Sequence, residues 1–510
     1  MVSVAALLVA GTLFVYLVLQ RRRRSKLPPG PPALPLIGNL HQAPTEAVWL
    51  TFQEWVKQYG NLVSVNFGGT TIIIIGDYDT AKDLLDKRAN IYSGRPRMVM
   101  LQELVCKNNH IAFKPFDEEY LQHQRLEASV LSPRASACYT PIQDLESKQL
   151  LKDMLDSSNC FHNIERYAAS LAYSMSYGMR ILTGDEWQIR KSQACIANFE
   201  IAGQVGVWIV DALPWLNYLP APLAPWKKTA ATWFQMWDSL HQTNLRDAQK
   251  REGWNWAKDF VAAKEFQSMT EEQIAWDVGI LCDAGVETLS TTLQIFILAC
   301  VAHPEWIPRA QKELDEVIGR DRLPEFDDMR NLPYIQAVVE ENFRWRHALP
   351  LGTPHATTRA DHYKGYLIPE GSIIIPLFNA MRKDDHIFDA PSVFRPERWL
   401  GKSQSGSFGY GRRICTGRHI ARNSLNIAVA RLLWAFDIRA QDGRELVVEE
   451  SMFTTGFVSV PKNVEATFAP RSESRARVIQ DALGAAEKDV TQLLSSVREK
   501  QVAAGIKPWA

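Results

Sequence analysis

The sequence predicts a mainly α-helical protein with small β-sheets, folded as one large domain behind an apolar N-terminal span. Three observations carry that expectation. From residue 145 to about 338 most apolar side chains recur at helical spacing. Strand-like runs are confined to residues 63–67 and 71–75 near the start and to 368–376 and 447–460 near the end. Residues 2–19 carry no charge, and Arg21, Arg22, Arg23 and Arg24 follow them directly.

Taken in order, residues 1–20 are expected to be a transmembrane anchor, close to the ~20 residues that span a hydrocarbon layer. The arginines behind the span keep the rest of the chain on the cytoplasmic side. Residues 21–40 form a basic and Pro-rich linker. Five of the nine residues from Leu27 to Pro35 are proline, so this piece is read as a stiff polyproline-type spacer. Residues 41–470 form the globular body. It starts with helices at 47–59 and 78–87 around a hairpin turned by Gly68 and Gly69. Residues 212–225 make an apolar loop with four prolines, which suits membrane contact, a pocket roof or internal packing. Residues 274–301 lack proline and run as one helix of about 40 Å. Residues 471–510 are a helical tail whose apolar positions, among them Ile479, Leu483, Val490, Leu494 and Val497, share a face. That pattern suits packing on its own domain better than capture of a partner.

Composition narrows the function. Across 510 residues, 57 Lys and Arg balance 57 Asp and Glu, which excludes a global basic field for nucleic acid. At 46 % hydrophobic and 22 % charged residues the chain is neither disordered nor collagen-like. Seven cysteines, an odd number, argue against a disulfide scaffold and leave a thiol for other work. Sixteen tryptophans either line an apolar cavity or fill a core. Gly401-Lys402-Ser403 lacks the glycine a phosphate loop needs, because Pro396 stands there. Neither a C-x-x-C, an H-E-x-x-H nor a G-x-S-x-G occurs, so zinc-ribbon, zinc-protease and hydrolase readings have no support.

The informative segment is Phe408-Gly-Tyr-Gly411-Arg-Arg413-Ile-Cys415-Thr-Gly417. Arg412 and Arg413 precede the cysteine and are expected to favour its thiolate. A helical pattern follows over 420–436, which places the sulfur near a helix N-terminus. Gly411 and Gly417 permit unusual backbone angles and close approach of a flat ligand. Backbone N–H groups of the loop are positioned to tune the sulfur.

This segment resembles the haem-binding signature of the cytochrome P450 family. Glu341-Asn-Phe-Arg344 resembles the family's E-x-x-R, Pro396-Glu-Arg398-Trp399 its P-E-R-F/W element, and Ala284-Gly285-Val286-Glu287-Thr288 its A-G-x-D/E-T. The Pro-rich hinge resembles that of microsomal members, and the regions around residues 347–354 and 177–178 resemble fungal members of natural-product pathways. The resemblance implies haem b with Cys415 as the iron ligand. Phe408, Gly411, Arg413 and Gly417 would shape its seat, and His355, Arg413 and Arg125 would meet its propionates. Glu287 and Thr288 would relay protons for oxygen activation. Glu341, Arg344 and Arg398 would form a buried structural network, since i,i+3 side chains share a helix face.

The same resemblance implies a single-pass protein of the endoplasmic reticulum membrane that oxidises a bulky apolar small molecule with dioxygen. Electrons would come from NADPH through a separate cytochrome P450 reductase, with cytochrome b5 as a second donor, because the chain has no flavin or nicotinamide motif. Expected pocket walls are residues 98–112, 208–215 and 453–457 with Leu281, Val286, Leu349 and Leu351. Two departures stand out. Tyr120 and Gln124 replace the family's W-x-x-x-R, with His123 and Arg125 as adjacent substitutes, and His347 replaces a common proline. Alternative readings are an oxygen-independent isomerase or dehydratase, which Thr288 disfavours, and a catalytically silent haem-binding protein.

Overall fold

The computed structural model describes residues 26–156, 159–204, 207–263, 268–402, 406–441, 443, 446–462 and 464–506. The expected anchor at 2–19 and the four arginines lie outside the described residues. Among the described residues one helix is long and apolar enough to cross a membrane, and most of it is buried inside the protein.

The body is helical. Its main helices are α1 (Val48–Tyr59), α2 (Glu118–Leu131), α3 (Thr140–Asp156), α4 (Cys160–Tyr177), α5 (Trp187–Gly203), α6 (Pro225–Lys250) and α7 (Glu271–Ala302). After them come α8 (Ile307–Val317), α9 (Pro333–Trp345), α10 (Arg418–Ala435), α11 (Glu473–Gly484) and α12 (Val490–Ala503). A 32-residue α7 is about 48 Å long, enough to cross the domain. A capping box of Thr270 and Gln273 starts it. It packs along α4, and Trp276 and Phe296 on it are fully buried.

The sheets are small. β1 (Leu62–Phe67) and β2 (Thr70–Ile75) form an antiparallel hairpin, and Gly68 and Gly69 take the turn at φ of 59° and 100°. β2 then runs parallel to β6 (Ile373–Pro376), whose other edge pairs with β3 (His355–Ala356). Facing isoleucines, Ile73 with Ile374 among them, make this a buried sheet. Two-stranded pairs follow: β4 (Asp361–Tyr363) with β5 (Tyr366–Ile368), and β7 (Phe436–Ala440) with β8 (Ala466–Pro470).

Four expectations change. The strand-like run at 447–460 forms no strand; only an isolated bridge, Phe453 to Pro461, occurs there, and β7 and β8 make the late sheet. The helix read over 78–87 is one α turn followed by a wider π turn at Lys82–Lys87. The Pro-rich spacer does not stand free. Ser64 N–H donates to the Pro29 carbonyl at 2.8 Å, and the buried Asn39 amide donates to those of Pro31 and Pro32. A side chain at Gly30 would strike the Ser64 carbonyl, so the segment docks edge-on against β1. The tail is two helices rather than one, and both belong to the domain: buried Arg475 donates to the Trp434 carbonyl and pairs with Asp315 of α8. Gln501 reaches the Tyr139 hydroxyl at 3.3 Å.

Candidate active site

The cysteine loop is held from both ends. Cys415 N–H donates to the Phe408 carbonyl at 2.9 Å, and Gly411 N–H donates to Asp86. Gly411 has φ of 54°, and a Cβ there would lie 2.2 Å from the Leu85 carbonyl oxygen, so only glycine fits. Gly417 keeps an ordinary φ of −79° with open space beside it, so the loop's own packing does not demand glycine there. α10 starts at Arg418, which places the sulfur at a helix N-terminus as expected.

Of the seven cysteines, six are buried and Cys415 is exposed. The surrounding protein nonetheless desolvates its sulfur. Burial pushes the Cys415 thiol up, against the opposing Gly417 N–H, the Arg418 charge and the Arg418 N–H. The positive field was expected from Arg412 and Arg413; it comes from Arg418, whose guanidinium donates to the Cys415 carbonyl at 2.8 Å. A bound metal cation would deprotonate such a thiol outright.

Arg412 and Arg413 have other duties. Arg413 donates to the carbonyls of Ser93 at 2.9 Å and Lys114 at 2.7 Å, and its guanidinium lies 3.8 Å from the Tyr120 ring centroid. Its Nη1 is buried without a partner. Arg95 stands close by and was missed in the sequence. It donates to the carbonyls of Ala112 at 2.7 Å and Pro354 at 2.6 Å. Burial, and then the charge of Arg413, push Arg95 down to about 9. Two crowded guanidiniums, bonded to carbonyls and paired to no carboxylate among the described residues, form a seat for anionic groups.

His355 sits on β3 beside this pair, but not as a cation. Its Nδ1–H donates to the Tyr92 carbonyl at 2.9 Å, and burial, then Arg95, hold it far below the ordinary histidine value. The positive charge of the seat is therefore supplied by Arg95 and Arg413. Arg125 stands apart from this pair. It is exposed, and its Nε donates to the Leu121 carbonyl of its own helix. His123 does not substitute either, since it is buried against Asp277 at 2.6 Å. Tyr120 and Gln124 instead both reach the Arg412 carbonyl at 3.4 Å, so they clamp the cysteine loop. His347 braces the loop from the other side: it donates to the Ser407 carbonyl at 2.6 Å and stacks on Phe378 at 4.2 Å. Phe408 meets Phe343 edge-on at 4.9 Å.

Along α7 the burial breaks at one place. Ala284 is exposed and Gly285, Val286, Glu287 and Thr288 are half-buried, between fully buried turns. α7 runs as one helix through Gly285. The Thr288 hydroxyl donates to the Ala284 carbonyl at 2.8 Å. Burial, then the charges of Glu200 and Asp283, push Glu287 up to about 8. It is thus an acid at neutral pH. Phe113, Phe199 and Phe457 crowd together on another wall, 5.8–6.3 Å apart. Trp215, expected in a wall, is 61 % exposed and points outward.

Glu341, Arg344 and Arg398 meet, all buried. Arg344 grips Glu341 with two bonds of 2.8 Å and donates to the carbonyls of Arg382 and Pro391. Glu341 also accepts from the Arg395 N–H, Arg398 Nε and Trp399 Nε1. This hub ties α9 to the 382–399 segment.

A single accessible thiol at a helix N-terminus suits iron, and two half-buried guanidiniums that pair with no carboxylate among the described residues suit carboxylates. The donor set therefore fits a flat dianionic metal chelate such as haem, and the site defines a thiolate-ligated metalloenzyme. A model of the family described as Cytochrome P450 matches residues 28–468. A cytochrome P450 monooxygenase of Aspergillus aculeatus, aneD, is 37 % identical over 98 % of both chains. Another from Aspergillus calidoustus, drtD, is 38 % identical over 96 % of this chain and 94 % of its own. A third, peniB of Penicillium patulum, is 33 % identical over 94 % and 91 %. The chain belongs to the cytochrome P450 family and is a haem-thiolate monooxygenase.

Proposed function

We propose that this is a membrane-anchored monooxygenase of the endoplasmic reticulum that oxidises a bulky apolar small molecule in a fungal secondary-metabolite pathway. NADPH-cytochrome P450 reductase is the electron source, with cytochrome b5 as a second donor. The observation that carries this reading is that one chain holds both an accessible Cys415 thiol and, in the middle of the otherwise mostly buried α7, an accessible stretch from Ala284 to Thr288. Haem held by Cys415 supplies the activation of dioxygen. Arg95 and Arg413 hold its propionates. Glu287 holds a proton on its carboxyl oxygen, and the Thr288 hydroxyl passes protons on. Phe113, Phe199 and Phe457 orient an apolar substrate and exclude water.

The membrane reading draws support from apolar side chains that face outward. Leu36 is 67 % exposed, Tyr218 86 % and Leu223 65 %. Exposed apolar side chains of this kind mark interaction surfaces. The anchor at 1–20 would place them against the same bilayer.

The test is reconstitution with reductase in lipid vesicles, a panel of aromatic and terpenoid scaffolds, and isotope-labelled dioxygen read by mass spectrometry. Label in a product supports the reading; turnover without NADPH or label establishes an isomerase or dehydratase instead. Two finer outcomes are expected. Thr288→Ala diverts most reducing equivalents into peroxide, and unchanged coupling refutes the relay. Because Glu287 is the acid form below about 8, coupling in the wild type falls as pH rises through that value. Glu287→Gln, which cannot titrate, lacks that limb of the profile.

A further inference from the structure

The wall across from Glu287 carries a second carboxylate that the reaction does not use. Glu200 lies near the C-terminus of α5, directly after Phe199. Its carboxyl group presses on Gly456: a Cβ at that glycine would lie 2.1 Å from Glu200 Oε1 and 2.7 Å from Oε2. Gly456 in turn precedes Phe457. The carboxylate therefore sits beside the aromatic triad of Phe113, Phe199 and Phe457, which comes from three separate parts of the chain.

His110 extends that aromatic wall. It stacks on Phe199 at 5.4 Å, meets Phe113 at 5.0 Å, is 9 % exposed, and leaves its Nδ1 buried with no partner. Burial, then His241, hold it neutral, down to about 3. The wall thus offers aromatic faces, a neutral ring nitrogen and a carboxylate.

Charge in this region is one-sided. The Glu200 charge raises Glu287, burial raises Glu200 itself against one opposing backbone N–H from Val458, and among the described residues no cation contributes to either. Asp283, one turn before Glu287, is already answered by the Ser192 hydroxyl at 2.7 Å and His241 at 3.1 Å. Lys107 lies over the Phe234 ring at 3.5 Å and perturbs neither glutamate. Half-buried carboxylates without a counter-ion are costly unless a partner arrives. Aromatic faces with a nearby carboxylate are the chemistry that recognises alkylammonium groups.

We propose that Glu200 is a specificity-determining residue that pairs with a cationic nitrogen on an otherwise aromatic or apolar substrate, with Phe113, Phe199 and Phe457 as the cage. This deepens the monooxygenase reading and rests on it. The substrate class is then an amine or alkaloid-like molecule rather than a neutral hydrocarbon skeleton.

The test uses the haem-loaded full-length protein and two probes of one shape: phenylpropyl-trimethylammonium and its uncharged tert-butyl analogue. A quaternary nitrogen has no lone pair, so it does not bind iron. Equilibrium dialysis should show the wild type holding the cation about tenfold tighter than its neutral analogue. Glu200→Gln should lose that preference with the neutral affinity unchanged, and Glu200→Asp should keep part of it. Equal affinities in the wild type overturn the proposal, as does a preference that survives in Glu200→Gln. The carbon-monoxide difference spectrum of the same sample separates the two levels. A thiolate band without charge preference refutes the role of Glu200 alone, whereas a missing band refutes the haem-thiolate site beneath it.

Discussion

Cys415→Ser abolishes the red-shifted carbon-monoxide band of the reduced protein and reduces NADPH-dependent turnover by more than about 100-fold. Changes one shell away from a metal ligand typically cost about 10–100-fold, so loss of the ligand exceeds that range. The substitution is well suited to the question because the side chain does little for packing. Cys415 is exposed, and its loop is held by backbone bonds to Phe408 and Asp86 that serine leaves intact. The cofactor-free variant is therefore expected to keep its helical circular dichroism, as exposed substitutions usually shift stability by ~0.5 kcal/mol or less. Survival of the band in Cys415→Ser would refute the ligand assignment.

Arg344→Ala has the largest expected effect on folding. It removes the two 2.8 Å bonds to Glu341 and the donors to the carbonyls of Arg382 and Pro391. Glu341 would keep the Arg395 N–H and Trp399 Nε1, both at 2.9 Å, and Arg398 Nε at 3.4 Å, but would lose its paired guanidinium while still having no solvent contact. Breaking one partner of a buried pair costs roughly 3–5 kcal/mol, a large share of a typical 5–15 kcal/mol of stability. We expect poor accumulation of holoprotein and a strongly lowered unfolding midpoint. Arg344→Lys does not restore it, because an ammonium cannot present the guanidinium fork. Lys57→Ala, which removes an exposed pair with Glu54, serves as the control and moves the midpoint little. Equal midpoints for Arg344→Ala and Lys57→Ala would show that the hub is dispensable.

The features legible in the chain are those whose parts are sequence neighbours. Glu341 and Arg344 are one helical turn apart, and the cysteine loop and α10 are contiguous. Periodicity also revealed α7, because a helix that is apolar on all sides must be buried. Residue type alone does not show which side of its helix Arg125 takes. On α2 the inward phase is set by Tyr120, His123, Leu126, Glu127 and Val130, and Arg125 turns to solvent. The late strands were misplaced for a similar reason: β-branched composition at 447–460 had no partner edge, while Phe436–Ala440 found one in Ala466–Pro470.

Covalent neighbourhood and helical or strand period, which are properties of the chain itself, therefore settled the family, the helical class, the sulfur and the α9 ion pair. Long-range closure settled the rest. Arg95 joins the site because residues 112, 354 and 413 converge on it, and Glu200 faces Gly456 across more than half the chain. No local pattern encodes such meetings, since they depend on how separate helices pack. The docking of the Pro-rich segment on β1 and of α11 on α8 was decided in the same way, by which exposed backbone and buried charge each segment could satisfy.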